Sequence, residues 1–176
     1  QATYLASHGY IVATQNIRGR YSSQGSYSKL QPVGAEDGYD VIQWLAAQPW
    51  SNGRIGTVGS SYAAITQVRT AIEAPPHLTA IWPDVVPTNS FQNQCREGGA
   101  MQQHMFWALF IHAQDAQEIA DDPAKQAEVW NDLRDLRQLF RAGPPWERGS
   151  TSLRHVPPLE ETLIEYSTRG AYDEYW

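Results

Sequence analysis

Ser61 is the residue best placed to do covalent chemistry. It lies in the run Arg54–Gln67, R-I-G-T-V-G-S-S-Y-A-A-I-T-Q. Ile55, Thr57 and Val58 read as a short buried strand, Gly59-Ser60-Ser61 as a sharp turn, and Tyr62–Thr70 as a helix. A nucleophilic hydroxyl must stand clear of the sheet so that a carbonyl can approach it. That need forces the serine into a sparsely populated backbone conformation and requires small neighbours on either side. Gly59 meets the requirement, and Ala63 and Ala64 meet it less fully than glycine would. The N–H of Tyr62 opens the helix and points where an oxyanion would form, a task suited to a donor with no helical partner. Taken alone, Gly-x-Ser-x-small also describes an ordinary strand–turn–helix junction whose serines cap the helix, and the pattern does not choose between the two.

The elements that must position this turn follow in chain order. Gln1–Ser7 reads as helix, stopped at His8-Gly9, with His8 as a cap or surface residue. Tyr10–Gln15 (Y-I-V-A-T-Q) is strongly apolar and predicts a buried parallel strand. Asn16–Tyr27 is punctuated by Gly and Ser and reads as a loop at the carboxyl end of that strand, where ligands bind in open α/β sheets. Arg18 and Arg20 in it would suit an anionic substrate, but tying the loop to backbone carbonyls or a carboxylate is the favoured role for Arg18. Gly34–Ala47 predicts an amphipathic helix, with Glu36, Asp37 and Asp40 explained by the helix dipole rather than catalysis. After the elbow helix, Pro75-Pro76 breaks the pattern and Leu78–Trp82 predicts a third buried strand ended by Pro83. Strand, helix, strand, helix, strand with short connections means a parallel sheet with right-handed crossovers.

Beyond about Pro87 the pattern changes. Val86–Gly99 reads as polar loop and Ala100–Ile119 as helix, with Met101, Met105, Phe106, Leu109 and Phe110 on its apolar side. A second helix starts at Asp122-Pro123 and runs through Phe140 to Gly143-Pro144-Pro145. A third, Leu159–Tyr166, follows Pro157-Pro158. Three helices without a strand look like a cap over the sheet's active face. His104 and His112 lie eight apart on one helix, whereas metal ligands on a helix usually sit four apart with a third partner, so they read as packing or surface. His155, beside a Pro-rich stretch, has no assigned role.

Composition narrows the partners. A net charge of −6 argues against nucleic acid, which would want a basic face. No apolar run is long enough to span a bilayer, so no membrane partner is expected. The single Cys95 excludes an intrachain disulfide and is silent on compartment. Seven Trp and nine Tyr would suit a pocket for aromatic or acyl groups, although core and helix-interface packing accounts for most of them.

The turn resembles the nucleophile elbow of the α/β-hydrolases. The blocks R-G-R-Y-S-S-Q-G-S-Y, E-D-G-Y-D-V-I-Q-W-L and S-N-G-R-I-G-T-V-G-S-S-Y-A-A-I-T-Q resemble those of the cocaine-esterase and X-Pro dipeptidyl-peptidase group, which includes the α-amino-acid ester hydrolases. The terminal R-G-A-Y-D-E-Y-W is similar to the segment with which that family re-enters its sheet after the helical cap. The resemblance implies a partial α/β-hydrolase fold with an inserted all-helical cap: 1–87 part of the core, 88–169 the cap, 170–176 the start of the return. It matches Ser61 to the nucleophile, the Tyr62 amide to one oxyanion donor and Gln67 to a glutamine that often follows the elbow. Asn16 stands where the family commonly has Asp, and Ala64 where it commonly has Gly. Asp173 resembles a structural aspartate.

The resemblance also implies that a second oxyanion donor, a tyrosine, lies before Gln1, and that the acid and histidine lie after Trp176, so the chain reads as an internal piece of a longer hydrolase. Missing one oxyanion donor costs on the order of 3 kcal/mol in the barrier and missing the base costs more, so the isolated chain is expected to be nearly inactive. The implied substrate is a small ester, an amide or a short peptide; no cofactor or metal is called for, and homo-oligomerisation stays open. The competing reading is a non-catalytic binding or assembly module in which Ser61 only caps a helix.

Overall fold

The computed structural model describes residues 1–27 and 35–176. Its elements are α1 (Ala2–Ser7), α2 (Ala35–Ala46), β1 (Ile55–Ser60), α3 (Tyr62–Ile72), β2 (Leu78–Asp84), β3 (Arg96–Glu97), β4 (Ala100–Met101), α4 (Gln103–Gln114), α5 (Pro123–Arg134), α6 (Leu136–Ala142) and α7 (Pro157–Thr168). The chain is thus mixed α/β, with a small two-stranded parallel sheet, a two-residue hairpin and a helical second half. Gly34, the expected start of α2, lies outside the described residues.

β1 and β2 run parallel, joined through α3, with Ile55 opposite Leu78 and Ser60 opposite Asp84. The strand–helix–strand order expected for 55–82 is therefore present, but two expectations are corrected. Tyr10–Gln15 pairs with no strand among the described residues, and Tyr10 and Ile11 are each 65% exposed. A strand is a paired object: an apolar extended run becomes one only where a neighbouring backbone offers a ladder, and β1 finds its ladder in β2. Second, neither strand is buried: β1, expected as a buried strand, alternates half-buried and exposed residues with Val58 46% exposed, and β2 is exposed along most of its length. β2 extends through Pro83 to Asp84, and Trp82 is 74% exposed. A two-stranded sheet has a helix to cover it on only part of its surface, and the apolar residues of β2 face outward in consequence.

α2 lies on α3 at one very close crossing. A Cβ at Gly38 would fall 1.9 Å from Thr70 Oγ1, so only glycine allows these helices to meet as they do.

Most of the core belongs to the helical half. Phe106, Leu109, Phe110 and Ala113 of α4 pack with Val129 of α5, Leu136 and Leu139 of α6, and Leu159 and Leu163 of α7. The spacing on α4 is that of one helix face. The expected single helix from Asp122 through Phe140 is two helices. Asp135 leaves helical geometry (φ −134, ψ 68) and its carboxylate accepts from the Gln138 N–H at 2.9 Å, capping α6. The expected start of a helix at Ala100 is instead the return strand of the hairpin, and the helix expected to reach Ile119 ends at Gln114, with a short 3-10 turn at Gln117–Ile119. Pro157 and Pro158 lie inside α7 rather than before it, since the first helical turn needs no N–H from them. Arg96 ties the hairpin to the end of α7, donating to the carbonyls of Tyr166 (2.7 Å), Ser167 and Arg169 (both 3.2 Å).

Candidate active site at the strand–helix turn

Ser61 sits between the end of β1 and the first turn of α3, with φ 58 and ψ −120. This is the mirror image of the ordinary extended region, open to glycine and costly for any other residue. Its side chain is exposed, and its hydroxyl makes no capping bond to the helix. The backbone is held on both sides. Ser61 N–H donates to Asp84 C=O at 2.9 Å, and Ser61 C=O accepts from Ala64 N–H (2.9 Å) and Ile65 N–H (3.0 Å). Tyr62 is the first residue of α3, so no carbonyl one turn earlier in that helix can take its N–H.

The packing behind the turn explains its residue types. A Cβ at position 59 would come within 2.6 Å of the Ala63 Cβ, so glycine is required there. Ala64, which meets the small-residue requirement less fully than glycine would, is fully buried. Gln67 is buried and joins three segments: its Oε1 accepts from Thr57 Oγ1 (3.1 Å) on β1 and from Trp82 N–H (3.1 Å) on β2, while its Nε2 donates to Ala63 C=O (2.9 Å) and Gly59 C=O (3.2 Å). A second strained residue stands nearby: Val85, next to Asp84, has φ 55, rare for a β-branched side chain.

The loop at 16–27 folds against this turn and the helical half. Arg18 bonds the Asp37 carboxylate of α2 through two nitrogens, the anchoring role favoured from sequence. The carboxylate raises the guanidinium pKa above its usual value. Arg20 is almost wholly buried, donates to the His112 carbonyl of α4 and lies 4.2 Å from the Tyr27 ring centroid. Both arginines are committed to internal contacts. Asn16 lies within this loop, its carbonyl accepting from Ser23 Oγ at 2.9 Å. Tyr27, Tyr62 and His112 form a ring cluster, and the Tyr62 side chain packs against the core of the helical half. Burial pushes the Tyr27 and Tyr62 hydroxyls to higher pKa, so both are neutral phenols near neutral pH. Tyr27 and His112 were not paired by sequence reasoning; they are 85 positions apart, and no periodicity links a loop residue to a later helix.

The other residues singled out lie elsewhere. His8 caps α1, its Nδ1 2.8 Å from Tyr4 C=O. His104 is exposed near the start of α4. His155 bonds Glu128 at 2.9 Å. Asp173 accepts from Tyr175 N–H at 3.0 Å within the last turn of chain. Among the described residues no group of three or more His, Cys, Asp or Glu could hold a metal ion, and no helix is long and apolar enough to cross a membrane. A concavity of about 320 Å³ between α4, α6 and α7, lined by Met101, Phe106, Phe140 and Trp146, does not include Ser61.

Comparison with known proteins gives two findings. The chain is similar to the cocaine esterase of Rhodococcus sp. (strain MB1 Bresler), with 32% identity over 85 residues, covering 48% of this chain and 14% of the esterase. The chain therefore spans a small part of that relative's length. A sequence profile of the X-Pro dipeptidyl-peptidase family, S15, matches residues 1–176. With that match running from one end of the chain to the other, the protein belongs to the X-Pro dipeptidyl-peptidase (S15) family.

Proposed function

We propose that this protein is a serine hydrolase of the acyl esterase and X-Pro dipeptidyl-peptidase type, cleaving an ester or amide through an acyl-enzyme on Ser61. The observation that carries the proposal is the backbone of Ser61. A serine that merely caps a helix adopts extended geometry and accepts a hydrogen bond from the second or third helical N–H. Ser61 has positive φ, is exposed and makes no such bond. Strain of this kind persists where the surroundings over-determine it, and it gathers at functional sites. Membership of the S15 family and likeness to an esterase support hydrolysis as the class of reaction.

In the proposed mechanism a general base takes the Ser61 proton as Oγ attacks the carbonyl carbon. The tetrahedral oxyanion rests on the Tyr62 N–H, the leaving group departs with a proton, and water releases the acyl group. The chain would supply the nucleophile and one oxyanion donor; no residue within it is assigned the base or acid. Residues 1–87 would form part of a hydrolase core, 88–169 an inserted helical cap and 170–176 the return to the core. The substrate class is a small ester, amide or short peptide.

A fluorophosphonate probe on the full-length gene product tests this. Stoichiometric labelling is expected, lost in Ser61→Ala, with kcat/KM for a p-nitrophenyl ester down by at least about 10⁴-fold. A folded wild-type protein that takes no label overturns the proposal in favour of a binding module.

A further inference from the structure

Three separate segments meet in one cluster of rings beside the turn, Tyr62 tilted against the stacked Tyr27 and His112. The His112 ring, on the last turn of α4, lies 5.5 Å from that of Tyr27 and 5.5 Å from that of Tyr62, centroid to centroid. Tyr27 and His112 are stacked at 24°, and the Tyr27 hydroxyl lies 3.1 Å from His112 Nδ1. Arg20 holds the pair from the backbone side, over the Tyr27 ring and on the His112 carbonyl. Tyr62 is the residue whose N–H is the proposed oxyanion donor, and its side chain joins this cluster.

We infer that His112 is a positioning residue: by holding the Tyr62 ring against Tyr27 it fixes the direction of the Tyr62 N–H beside Ser61, so that the seating of α4 sets how well an oxyanion is bound. This rests on the hydrolase reading of Ser61. The physical reason is strain. Ser61 occupies a costly region, and the peptide between Ser61 and Tyr62 gains energy by rotating away from it. Such a rotation swings the Tyr62 N–H, and a hydrogen bond weakens steeply as its angle falls toward 120°. The Ser61 carbonyl shares that peptide, so its bonds from Ala64 N–H and Ile65 N–H resist the rotation, and the ring cluster acts by keeping this first turn of α3 seated. Complete loss of an oxyanion donor costs roughly 10²–10³-fold in kcat, so misdirecting one sets a smaller penalty of about tenfold.

The test uses the full-length gene product with His112→Ala, His112→Gln and His112→Phe. The readouts are ester turnover and amide hydrogen exchange at Ala64 and Ile65, whose N–H groups bond the Ser61 carbonyl. Loss of the ring, in the Ala or Gln variant, is expected to lower kcat about tenfold with KM within about twofold and to speed that exchange; Phe, which keeps a ring, restores most of the kcat. Gln serves if the Ala variant does not fold. Wild-type kcat and exchange in a folded Ala or Gln variant overturn the inference, as does a raised KM with unchanged kcat, which would make His112 a substrate contact. If the wild-type protein turns over no ester and takes no fluorophosphonate label, the hydrolase reading fails by itself. Exchange then decides the rest: faster exchange upholds the hold of His112 on the turn, and unchanged exchange overturns it.

Discussion

At the scale of single residues, Ser61 carries a conformation that its side chain opposes. Its φ of 58 and ψ of −120 cost on the order of 1–3 kcal/mol for a residue with a Cβ and nothing comparable for glycine. Ser61→Gly is therefore expected to raise stability by about 1 kcal/mol, after allowing for the greater freedom of glycine in the unfolded chain, while abolishing the proposed chemistry. Urea unfolding measures the first part; a destabilised Ser61→Gly protein would mean that the turn is unstrained. The strain is held by neighbours with their own requirements. Gly59 leaves room for Ala63, and Gln67 satisfies Thr57, Trp82 N–H and two carbonyls at once.

At the scale of elements, the position of α3, and hence of its first residue, depends on α2. The two helices meet where Gly38 faces Thr70. Alanine would gain about 1 kcal/mol of helix propensity at position 38, but its Cβ would fall 1.9 Å from Thr70 Oγ1. Overpacking of this kind costs about 1–3 kcal/mol, so Gly38→Ala is expected to lose about 1 kcal/mol net. Adding Thr70→Ala removes the clashing hydroxyl and methyl, so the double variant should be more stable than the sum of the single changes. Simple additivity in a denaturation cycle would show that the helices separate at no cost.

At the scale of the whole molecule, the helical half holds the main core and is closed by contacts between distant segments. One such closure is sensitive to acid. Glu128 of α5 bonds His155 and Arg154 of the turn before α7, and those contacts, that of His155 foremost, hold its carboxyl below the ordinary 4.5. A carboxyl whose folded pKa is depressed stabilises the fold fully above the unfolded value, and the contribution is lost as pH falls through the folded one. Glu128→Gln should thus lower Tm at pH 7, with the gap to wild type closing as the pH drops below about 4.5. A gap that stays constant from pH 7 to about 3 would refute the assignment. The loop at 16–27 is a second closure, bound to α2 through Arg18 and to α4 through Arg20.

Local chemistry determined what the sequence could determine alone. Glycine, serine and small residues in order after an apolar run specified a strand–turn–helix at 55–70, because steric demands at a tight turn act between neighbours. The amphipathic spacing of α2 and α4 and the anchoring role of Arg18 were legible for similar reasons. Other features waited for the tertiary structure. Whether Tyr10–Gln15 forms a strand depends on a pairing partner, which no local pattern supplies. The break at Asp135 depends on a carboxylate choosing the Gln138 N–H over continuing the helix. The ring cluster of Tyr27, Tyr62 and His112 depends on three segments converging. Pairing, capping within a run and packing across long separations are decided by which surfaces meet, and that is a property of the folded chain rather than of any window along it.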